Sequence, residues 1–267
     1  MKLYRKSLLA AAALSLAATV AIGAAQATPA TGAESPPSVN DQAIRNAVKL
    51  INPKAEIKAI NDFGMPGIKQ VLADTAVVYI SNDGRYVFSG LMLDMVEKRN
   101  LSDEAQALAR AEVLRSIPKA AYISYEPKVV KHRVTVFTDV SCGYCQMLHK
   151  NMQSYLDAGI AVDYVPFPRG GSASPAFSEM QSTWCATDRK KTLDAAFHGE
   201  APRETRCSDP VAAMYDLGDK LGIQGTPAIY DAAGHHLGGY TPADQMIKQL
   251  DQFAARAAAG RATASTK

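Results

Sequence analysis

The motif CGYC at residues 142–145 constrains most strongly what this chain can fold into. It follows a β-branched, apolar run at residues 133–139, and residues 143–156 place apolar side chains at helical spacing. The pattern predicts a strand that brings two cysteines to the first turn of a helix. The two sulfurs could form part of a metal site, a structural disulfide or a reactive dithiol.

A helix N-terminus would activate Cys142 as a nucleophile. Its sulfur would lie beside unpaired backbone N–H groups and the positive end of the helix dipole, which both favour thiolate over thiol. Thiolate is the form that attacks disulfides. Cys145, one turn further on, would be more shielded and within reach of a mixed disulfide on Cys142. Gly143 leaves room for a substrate backbone, and Tyr144 could tune the thiolate through packing.

The two other interpretations of the motif are weaker. A zinc site needs a second close pair of ligands, but Cys185 and Cys207 are far apart in sequence, and His149 alone completes no tetrahedral site. A structural disulfide within the motif would close so short a loop that it would restrain the unfolded chain little. We therefore expect a redox-active dithiol, with no metal and no cofactor.

The other two cysteines, Cys185 and Cys207, are expected to form a structural disulfide. Neither belongs to a CxxC motif or follows a clear strand. The loop that they would close is worth about 3 kcal/mol in the chain-entropy model. A redox relay is the alternative.

A Thr226-Pro227 pair lies at the start of a predicted strand, in the stretch GIQGTPAIY. A lone X-Pro bond is most often an ordinary trans turn. Behind a CxxC motif, however, a cis proline would turn the backbone of Thr226 toward the sulfurs. The N–H and C=O of Thr226 would then be free to pair with an extended substrate, so we predict a substrate-binding role for Thr226 and Pro227.

The first 27 residues predict a cleavable export signal. Basic residues precede an apolar run, and small residues follow at a suitable cleavage site; a membrane anchor is the alternative. Removal of the signal takes three of the 29 basic residues and none of the 26 acidic ones, so the mature chain is close to neutral. A neutral protein has no electrostatic attraction for nucleic acid. Export also implies an oxidising compartment in which disulfides persist.

The rest of the chain divides into a small and a larger domain. Residues 28–38 are expected to be flexible, and residues 39–97 predict one helix on a small antiparallel sheet, with Asn82-Asp83-Gly84 as a hairpin turn. So small a unit buries little core alone and contains no cysteine or histidine. We expect it to dimerise through an open sheet edge.

A linker helix is expected at residues 98–118, with Ser102 as its N-cap and Pro118 at its end. Residues 119–258 alternate between strand and helix patterns, which predicts an α/β domain with a mixed sheet. Residues 259–267 are of low complexity and are predicted to form a disordered tail.

Several stretches together closely resemble a known family. They are TVFTDVSCGYCQMLH, VPFPRGG, WCA at residues 184–186, and LGIQGTPA. The family is that of periplasmic thiol:disulfide interchange proteins of the DsbC type, and VVYISNDGRYVFSGLMLD resembles its dimerisation module. The resemblance implies a V-shaped homodimer. Each copy would join an α+β, cystatin-like dimerisation domain through a linker helix to an α/β thioredoxin-fold domain with a helical insertion.

The resemblance also implies the chemistry: rearrangement of non-native disulfides in misoxidised or unfolded secreted proteins, with chaperone activity. It implies location in the periplasm of a Gram-negative bacterium and reduction by an inner-membrane donor of the DsbD type. A DsbG-like, client-selective thiol reductase or chaperone and a net disulfide oxidase are the alternatives. The implied roles are nucleophile for Cys142, resolving thiol for Cys145, cis-proline loop for Thr226 and Pro227, and structural bridge for Cys185 and Cys207.

One position departs from the broader thioredoxin superfamily. Many of its members have a buried carboxylate six residues before the first cysteine, where this chain has Val136. The DsbC-like branch is also apolar there. The proton acceptor for Cys145 is therefore left open, because the sequence does not show which side of its strand Asp139 faces.

Overall fold

The computed structural model describes residues 39–62 and 64–264. The predicted export signal at residues 1–27 and the predicted flexible segment at residues 28–38 lie outside the described residues, as do residues 265–267. No helix in the described part of the chain has the length and apolar character needed to cross a membrane.

The N-terminal region packs one helix on a four-stranded antiparallel sheet, as predicted. Ile44 and Val48 of the helix pack against Val71 and Ile80 of the sheet. The strands lie in chain order across the sheet. The elements are helix α1 (Val39–Ile51) and strands β1 (Ile57–Asn61), β2 (Ile68–Ala73), β3 (Ala76–Ser81) and β4 (Val87–Ser89).

The turn between β3 and β4 is built as its sequence predicts. The carboxylate of Asp83 accepts hydrogen bonds from the Ser81 hydroxyl and from the backbone N–H of Arg85. Gly84 has a φ of +71°, and an added Cβ there would lie 2.6 Å from the carbonyl oxygen of Ala43 in α1. Only glycine therefore allows this turn to approach the helix so closely.

A short ribbon leads into the linker helix. It pairs β5 (Leu93–Asp94) with β6 (Arg99–Asn100), and helix α2 (Leu101–Arg115) follows at once. The prediction of Ser102 as N-cap is wrong: Asn100 is the cap, and its side chain accepts from the backbone N–H of Asp103 at 3.0 Å. Ser102 lies two residues after the cap, already inside the helix, and its hydroxyl instead accepts from the N–H of Met92 at 2.8 Å.

The C-terminal region is built on a five-stranded mixed sheet. The strands are β7 (Ile123–Tyr125), β8 (His132–Thr138), β9 (Ile160–Pro166), β10 (Ala228–Asp231) and β11 (His236–Gly238). Their order across the sheet is β11-β10-β8-β9-β7; β8 and β9 are parallel and the other pairs are antiparallel. Strand β8, which precedes the CGYC motif, is therefore the central strand.

Helices cover both faces of this sheet. They are α3 (Gly143–Lys150), α4 (Met152–Asp157), α5 (Pro175–Cys185), α6 (Arg189–Phe197), α7 (Val211–Lys220) and α8 (Ala243–Ala264). Because side chains alternate along a strand, Val136 and Tyr164 enter one buried cluster with Trp184, whereas Phe137 and Val165 enter another.

Two helix boundaries differ from those predicted. The helix expected over residues 143–156 is divided at Asn151, whose side-chain amide donates to the carbonyl of Met147 at 2.8 Å. The tail predicted from residue 259 is helical as far as Ala264, since α8 continues through its alanine-rich end. Alanine has the highest intrinsic helix propensity, which outweighs low sequence complexity here.

The linker helix lies directly against the C-terminal region. Ala107 and Ala111 of α2 are buried, whereas Leu108 is exposed. An added Cβ on Gly234, in the turn between β10 and β11, would lie 2.0 Å from the carbonyl oxygen of Ala107. Small residues on both sides therefore allow close packing that the sparse large apolar residues of α2 did not indicate.

Candidate active site

The end of the central strand positions the CGYC motif. After Thr138, the last residue of β8, the backbone N–H of Cys142 donates to the carbonyl of Asp139 at 3.0 Å and closes a tight turn. Cys142 has extended backbone angles and is the N-cap of α3. The predicted order of strand, cysteine pair and helix is therefore the observed one.

The two motif cysteines are free thiols with different surroundings. Cys142 is 3% exposed, whereas the neighbouring Gly143 and Tyr144 are exposed; an added Cβ on Gly143 would meet nothing within 4 Å. Cys145 is 0% exposed and belongs to the main apolar cluster. The Tyr144 side chain is 63% exposed, so it has little of the packing through which the sequence predicts that it tunes the thiolate.

The Thr226-Pro227 pair lies directly against Cys142. Its peptide bond is cis, and the Cys142 sulfur lies 3.1 Å from the carbonyl oxygen of Thr226, to which it donates when it is protonated. The Thr226 hydroxyl is buried without a hydrogen-bond partner in the described part of the chain. It is therefore available to donate to the sulfur of Cys142 when that sulfur is negatively charged.

These surroundings lower the pKa of Cys142 from 9.0 to about 5. The largest cause is a hydrogen bond from the thiol of Cys145, which lowers the pKa. Burial opposes it by raising the pKa, and the side chain of Thr226 lowers the pKa further. Backbone N–H groups of Cys145 and Tyr144 at the start of α3 contribute further. Cys142 is therefore a thiolate at neutral pH.

The pKa of Cys145 is shifted in the opposite direction. Burial raises it most, and the hydrogen bond to Cys142 raises it further, because this bond requires Cys145 to keep its proton. The hydroxyl of Thr138 and the backbone N–H of Asp139 oppose these effects without overcoming them. One sulfur of the motif is thus ionised and the other protonated.

An ion pair between the buried Asp139 and the half-exposed Arg169 lies beside the motif and was not identified from the sequence. The Asp139 carboxylate, which is buried, accepts from the N–H and hydroxyl of Ser141 at 2.8 and 2.6 Å. It also accepts from the backbone N–H and the Nε of Arg169 at 2.9 and 3.1 Å. Burial alone would raise the pKa of Asp139, but these hydrogen bonds together hold it below its usual value.

Burial lowers the pKa of Arg169, but the hydrogen bond to Asp139 and the nearby charge of the Cys142 thiolate together raise it. The guanidinium of Arg169 therefore lies close enough to Cys142 to interact with its charge. Arg169 belongs to the VPFPRGG stretch, for which the sequence analysis predicts no chemical role. The structure thus places a positive charge near the reactive sulfur.

The distal cysteines are joined as predicted. Cys185 and Cys207 form a disulfide with Cα atoms 5.6 Å apart. Next to it, the buried Trp184 donates from its indole Nε1 to the carbonyl of Ala121 at 2.8 Å. Within residues 39–62 and 64–264, no group of three or more His, Cys, Asp or Glu side chains is arranged to hold a metal ion.

Comparisons with known proteins identify the family. A family model described as a thioredoxin-like domain matches residues 119–254, and one described as the disulfide bond isomerase protein N-terminal domain matches residues 23–103. The thiol:disulfide interchange protein DsbC of Dickeya dadantii is 37% identical over 223 residues, which cover 83% of this chain and 91% of the relative. The chain belongs to the DsbC family.

Further members of the DsbC family show similar agreement. The DsbC of Salmonella typhimurium is 35% identical, covering 80% of this chain and 88% of its own length. The DsbC of Escherichia coli K12 is 36% identical, covering 70% and 78%. Membership in the DsbC family confirms the predicted two-part fold and the predicted class of enzyme, a thiol:disulfide oxidoreductase or isomerase.

Proposed function

We propose that the protein rearranges non-native disulfides in secreted proteins, with Cys142 as nucleophile and Cys145 as resolving thiol. The observation that supports this most is the opposite ionisation of two neighbouring sulfurs. Cys142, at the N-terminus of α3, has a pKa of about 5, whereas burial keeps Cys145 protonated. The Cys142 sulfur can thus attack a disulfide, while the Cys145 sulfur stays protonated and unreactive until a mixed disulfide has formed.

In the first step, the Cys142 thiolate attacks one sulfur of a substrate disulfide. A bond forms between the two sulfurs, the substrate disulfide breaks, and the second substrate sulfur leaves as a thiolate. The Thr226 backbone would pair with an extended substrate segment beside Pro227, since its carbonyl already faces the Cys142 sulfur.

The second step has two outcomes. A substrate thiolate can displace Cys142, which completes isomerisation with no net electron transfer. Alternatively, Cys145 attacks Cys142, which leaves the substrate reduced and the enzyme oxidised. The low pKa of Cys142 makes it a good leaving group in the first of these reactions, which favours isomerisation.

A second copy of the chain is the proposed partner of the N-terminal region. Strand β4 lies at the edge of its sheet, and a run of large apolar side chains from β4 to the β5–β6 ribbon is exposed. Contiguous exposed apolar surface is typical of an association site. These residues are Val87, Phe88, Leu91, Leu93, Met95 and Val96.

The proposed setting is the periplasm, reached through the export signal at residues 1–27, where a DsbD-type inner-membrane donor would keep Cys142 and Cys145 reduced. The redox state of the two cysteines in the periplasm distinguishes a net oxidase from an isomerase. A net oxidase would carry these cysteines as a disulfide in the cell, whereas an isomerase needs Cys142 reduced.

The decisive experiment is refolding of a scrambled multi-disulfide substrate by the full chain and by Cys142→Ala. We expect the variant to lose the activity, and full activity in the variant would refute the assignment of Cys142.

Alkylation trapping of thiols in periplasmic extracts reports the redox state of Cys142 and Cys145 in the cell. A separate chaperone activity would appear if a Cys142→Ala, Cys145→Ala double variant still suppressed aggregation of a cysteine-free client. A DsbG-like relative would form mixed disulfides with few clients.

A further inference from the structure

A largely buried polar cluster surrounds His149, near the C-terminal end of the CGYC helix, and has no part in the steps above. It consists of Tyr125, His149, Tyr164 and Asp194, and we call it the His149 cluster. His149 and Tyr164 are buried, and the imidazole stacks on Phe197 with ring centroids 4.5 Å apart. Buried polar groups are costly unless they are paired, so a network at this position calls for an explanation.

The resolving step releases a proton for which no acceptor has yet been described. In the reduced enzyme, Cys145 shares its proton with the Cys142 thiolate. In the mixed disulfide, the Cys142 sulfur carries no charge, so that acceptor is lost. Val136 supplies no carboxylate, and the Asp139 carboxylate is already occupied by Ser141 and Arg169. Cys145 must nevertheless lose its proton before it attacks.

Two members of the His149 cluster lie in the same part of the core as Cys145, although no hydrogen bond joins Cys145 to Tyr164 in the reduced protein, where the Cys145 thiol donates to Cys142. Cys145 and His149 are four residues apart in α3 and therefore lie on one face of the helix. Tyr164 of β9 belongs to the same buried cluster as Cys145. Its hydroxyl is 3.5 Å from Nδ1 of His149.

The hydrogen bonds define a direction for proton movement. Nε2 of His149 is 3.0 Å from Oδ1 of Asp194. Because a carboxylate only accepts, Nε2 carries the imidazole proton and Nδ1 is left to accept from the Tyr164 hydroxyl. The Asp194 side chain is 47% exposed, so the chain of hydrogen bonds ends at solvent.

The charged and titratable groups around His149 leave it able to act as a base. Asp194 and His198 approach from α6, Tyr125 from β7 and Tyr164 from β9. Burial lowers the pKa of His149 most, and His198 lowers it further, while Asp194 opposes both. Burial raises the pKa of Tyr164 well above its ordinary value, so Tyr164 stays protonated.

We propose that the His149–Asp194 pair accepts, through the Tyr164 hydroxyl, the proton that Cys145 loses when it resolves the mixed disulfide. Cys145 gives its proton to the Tyr164 oxygen while Tyr164 gives its own to Nδ1 of His149. The Cys145 sulfur bonds to the Cys142 sulfur, and the substrate sulfur leaves with the electron pair of the broken bond.

The enzyme dithiol is thereby oxidised by two electrons and the substrate cysteines are reduced. Tyr164 ends neutral, and the imidazolium of His149 is stabilised by Asp194 until it gives its proton to water. His149 acts through Tyr164 and is thus a positioning and relay residue. The inference rests on the proposed role of Cys145 as resolving thiol.

A peptide whose cysteine carries a thionitrobenzoate group separates the two chemical steps. Attack by Cys142 on the peptide sulfur releases coloured thionitrobenzoate, and resolution by Cys145 then releases the peptide thiol, which acid quenching and mass spectrometry measure. Both phases are followed from pH 5 to 9 for the full chain and its variants. A missing first phase in the wild-type protein would refute the proposed function itself, independently of the relay.

We expect His149→Gln to leave the first phase unchanged and to slow the second roughly a hundredfold at neutral pH, the scale of general base catalysis. The inflection in the pH profile of the second phase should vanish. Tyr164→Phe, which keeps the ring, should do the same. Asp194→Asn should move the inflection to lower pH, because the carboxylate raises the pKa of His149.

The matched control is His132→Gln. His132 also pairs with an aspartate, Asp251, at 2.7 Å, but at the opposite end of β8 from the motif. Both phases should stay unchanged in this variant. A second phase in His149→Gln with the wild-type rate and inflection overturns the relay. If His149→Gln does not fold, an unmoved inflection in Asp194→Asn overturns it instead.

Discussion

The first cysteines of the two pairs, Cys142 and Cys185, occupy opposite ends of helices. Cys142 is the N-cap of α3, whereas Cys185 is the last residue of α5. Free N–H groups at a helix N-terminus stabilise a thiolate, and a helix C-terminus presents carbonyl oxygens that do not. The same residue type is therefore reactive at one end of a helix and suited to a lasting disulfide at the other.

The neighbours reinforce this difference. Around Cys142, the side chain of Thr226 and the charge of Arg169 favour a negative sulfur. Around Cys185, the adjacent Trp184 is fully buried in the apolar cluster. The contrast shows that the immediate surroundings of each sulfur, more than its distance from another cysteine, determine its chemistry.

Removal of the nucleophile should produce the largest effect. We expect Cys142→Ala to lower isomerase activity by about a thousandfold or more, since loss of a nucleophile removes covalent catalysis altogether. A Cys185→Ser, Cys207→Ser double variant should keep most of its activity at temperatures where it remains folded. Refolding of a scrambled substrate measures both variants. Equal losses in the two would contradict the division into a reactive and a structural pair.

The pH dependence of Cys142 is the next test. Its folded pKa of about 5 lies below its ordinary value of 9.0, so its rate of alkylation should reach half its maximum near pH 5. The depressed pKa also stabilises the reduced protein. This contribution is complete above pH 9.0 and is lost as the pH falls toward 5.

Denaturant unfolding of the reduced wild-type protein and of Cys142→Ser should therefore diverge as the pH rises from 5 to 9.0, with the wild-type protein gaining stability relative to the variant. Cys145, whose pKa is raised, should not be alkylated in this range while the protein is folded. An alkylation midpoint near 9.0 would show that the Cys145 thiol, Thr226 and the helix end do not act on the sulfur as inferred.

The disulfide should affect stability more than catalysis. Replacing Cys185 and Cys207 by serine should lower the free energy of unfolding by about 3 kcal/mol, the chain-entropy value for a loop of this length. Urea unfolding of the double variant against the wild-type protein measures the difference. A variant of unchanged stability would indicate that the bridge is not structural and would revive the redox-relay alternative.

The sequence revealed the parts of this comparison that are local. The strand–CGYC–helix order and the isolation of Cys185 and Cys207 follow from neighbouring residues. The side of β8 that Asp139 faces does not, because it depends on the turn that closes at Cys142. Arg169 is thirty positions away and reaches Asp139 through the parallel pairing of β8 with β9.

The same limit applies to other groups that pairing and packing bring together. His149 and Asp194 meet only because α6 packs on α3, and a helix boundary such as that at Asn100 depends on which side chain accepts from the first turn. Local chemistry was therefore predictable, whereas contacts between elements needed the fold.

The smallest expected effect concerns Arg169, whose charge is the weakest of the differences between the surroundings of the two cysteine pairs. Its side chain is 46% exposed, so solvent screens much of its charge. Arg169→Gln should therefore raise the pKa of Cys142 by less than about one unit, a modest effect of the size expected for a screened charge. The shift should shrink further in high salt, which a purely structural effect on the Asp139 turn would not do.

Alkylation of Cys142 across the pH range, at low and high ionic strength, measures this shift. The control is Arg206→Gln beside the structural pair, since Arg206 is highly exposed and pairs with Glu204. It should leave the alkylation of Cys142 unchanged. An equal shift in both variants would mean that net charge acts on the thiolate from a distance, and the difference between the two cysteine pairs would then owe nothing to Arg169.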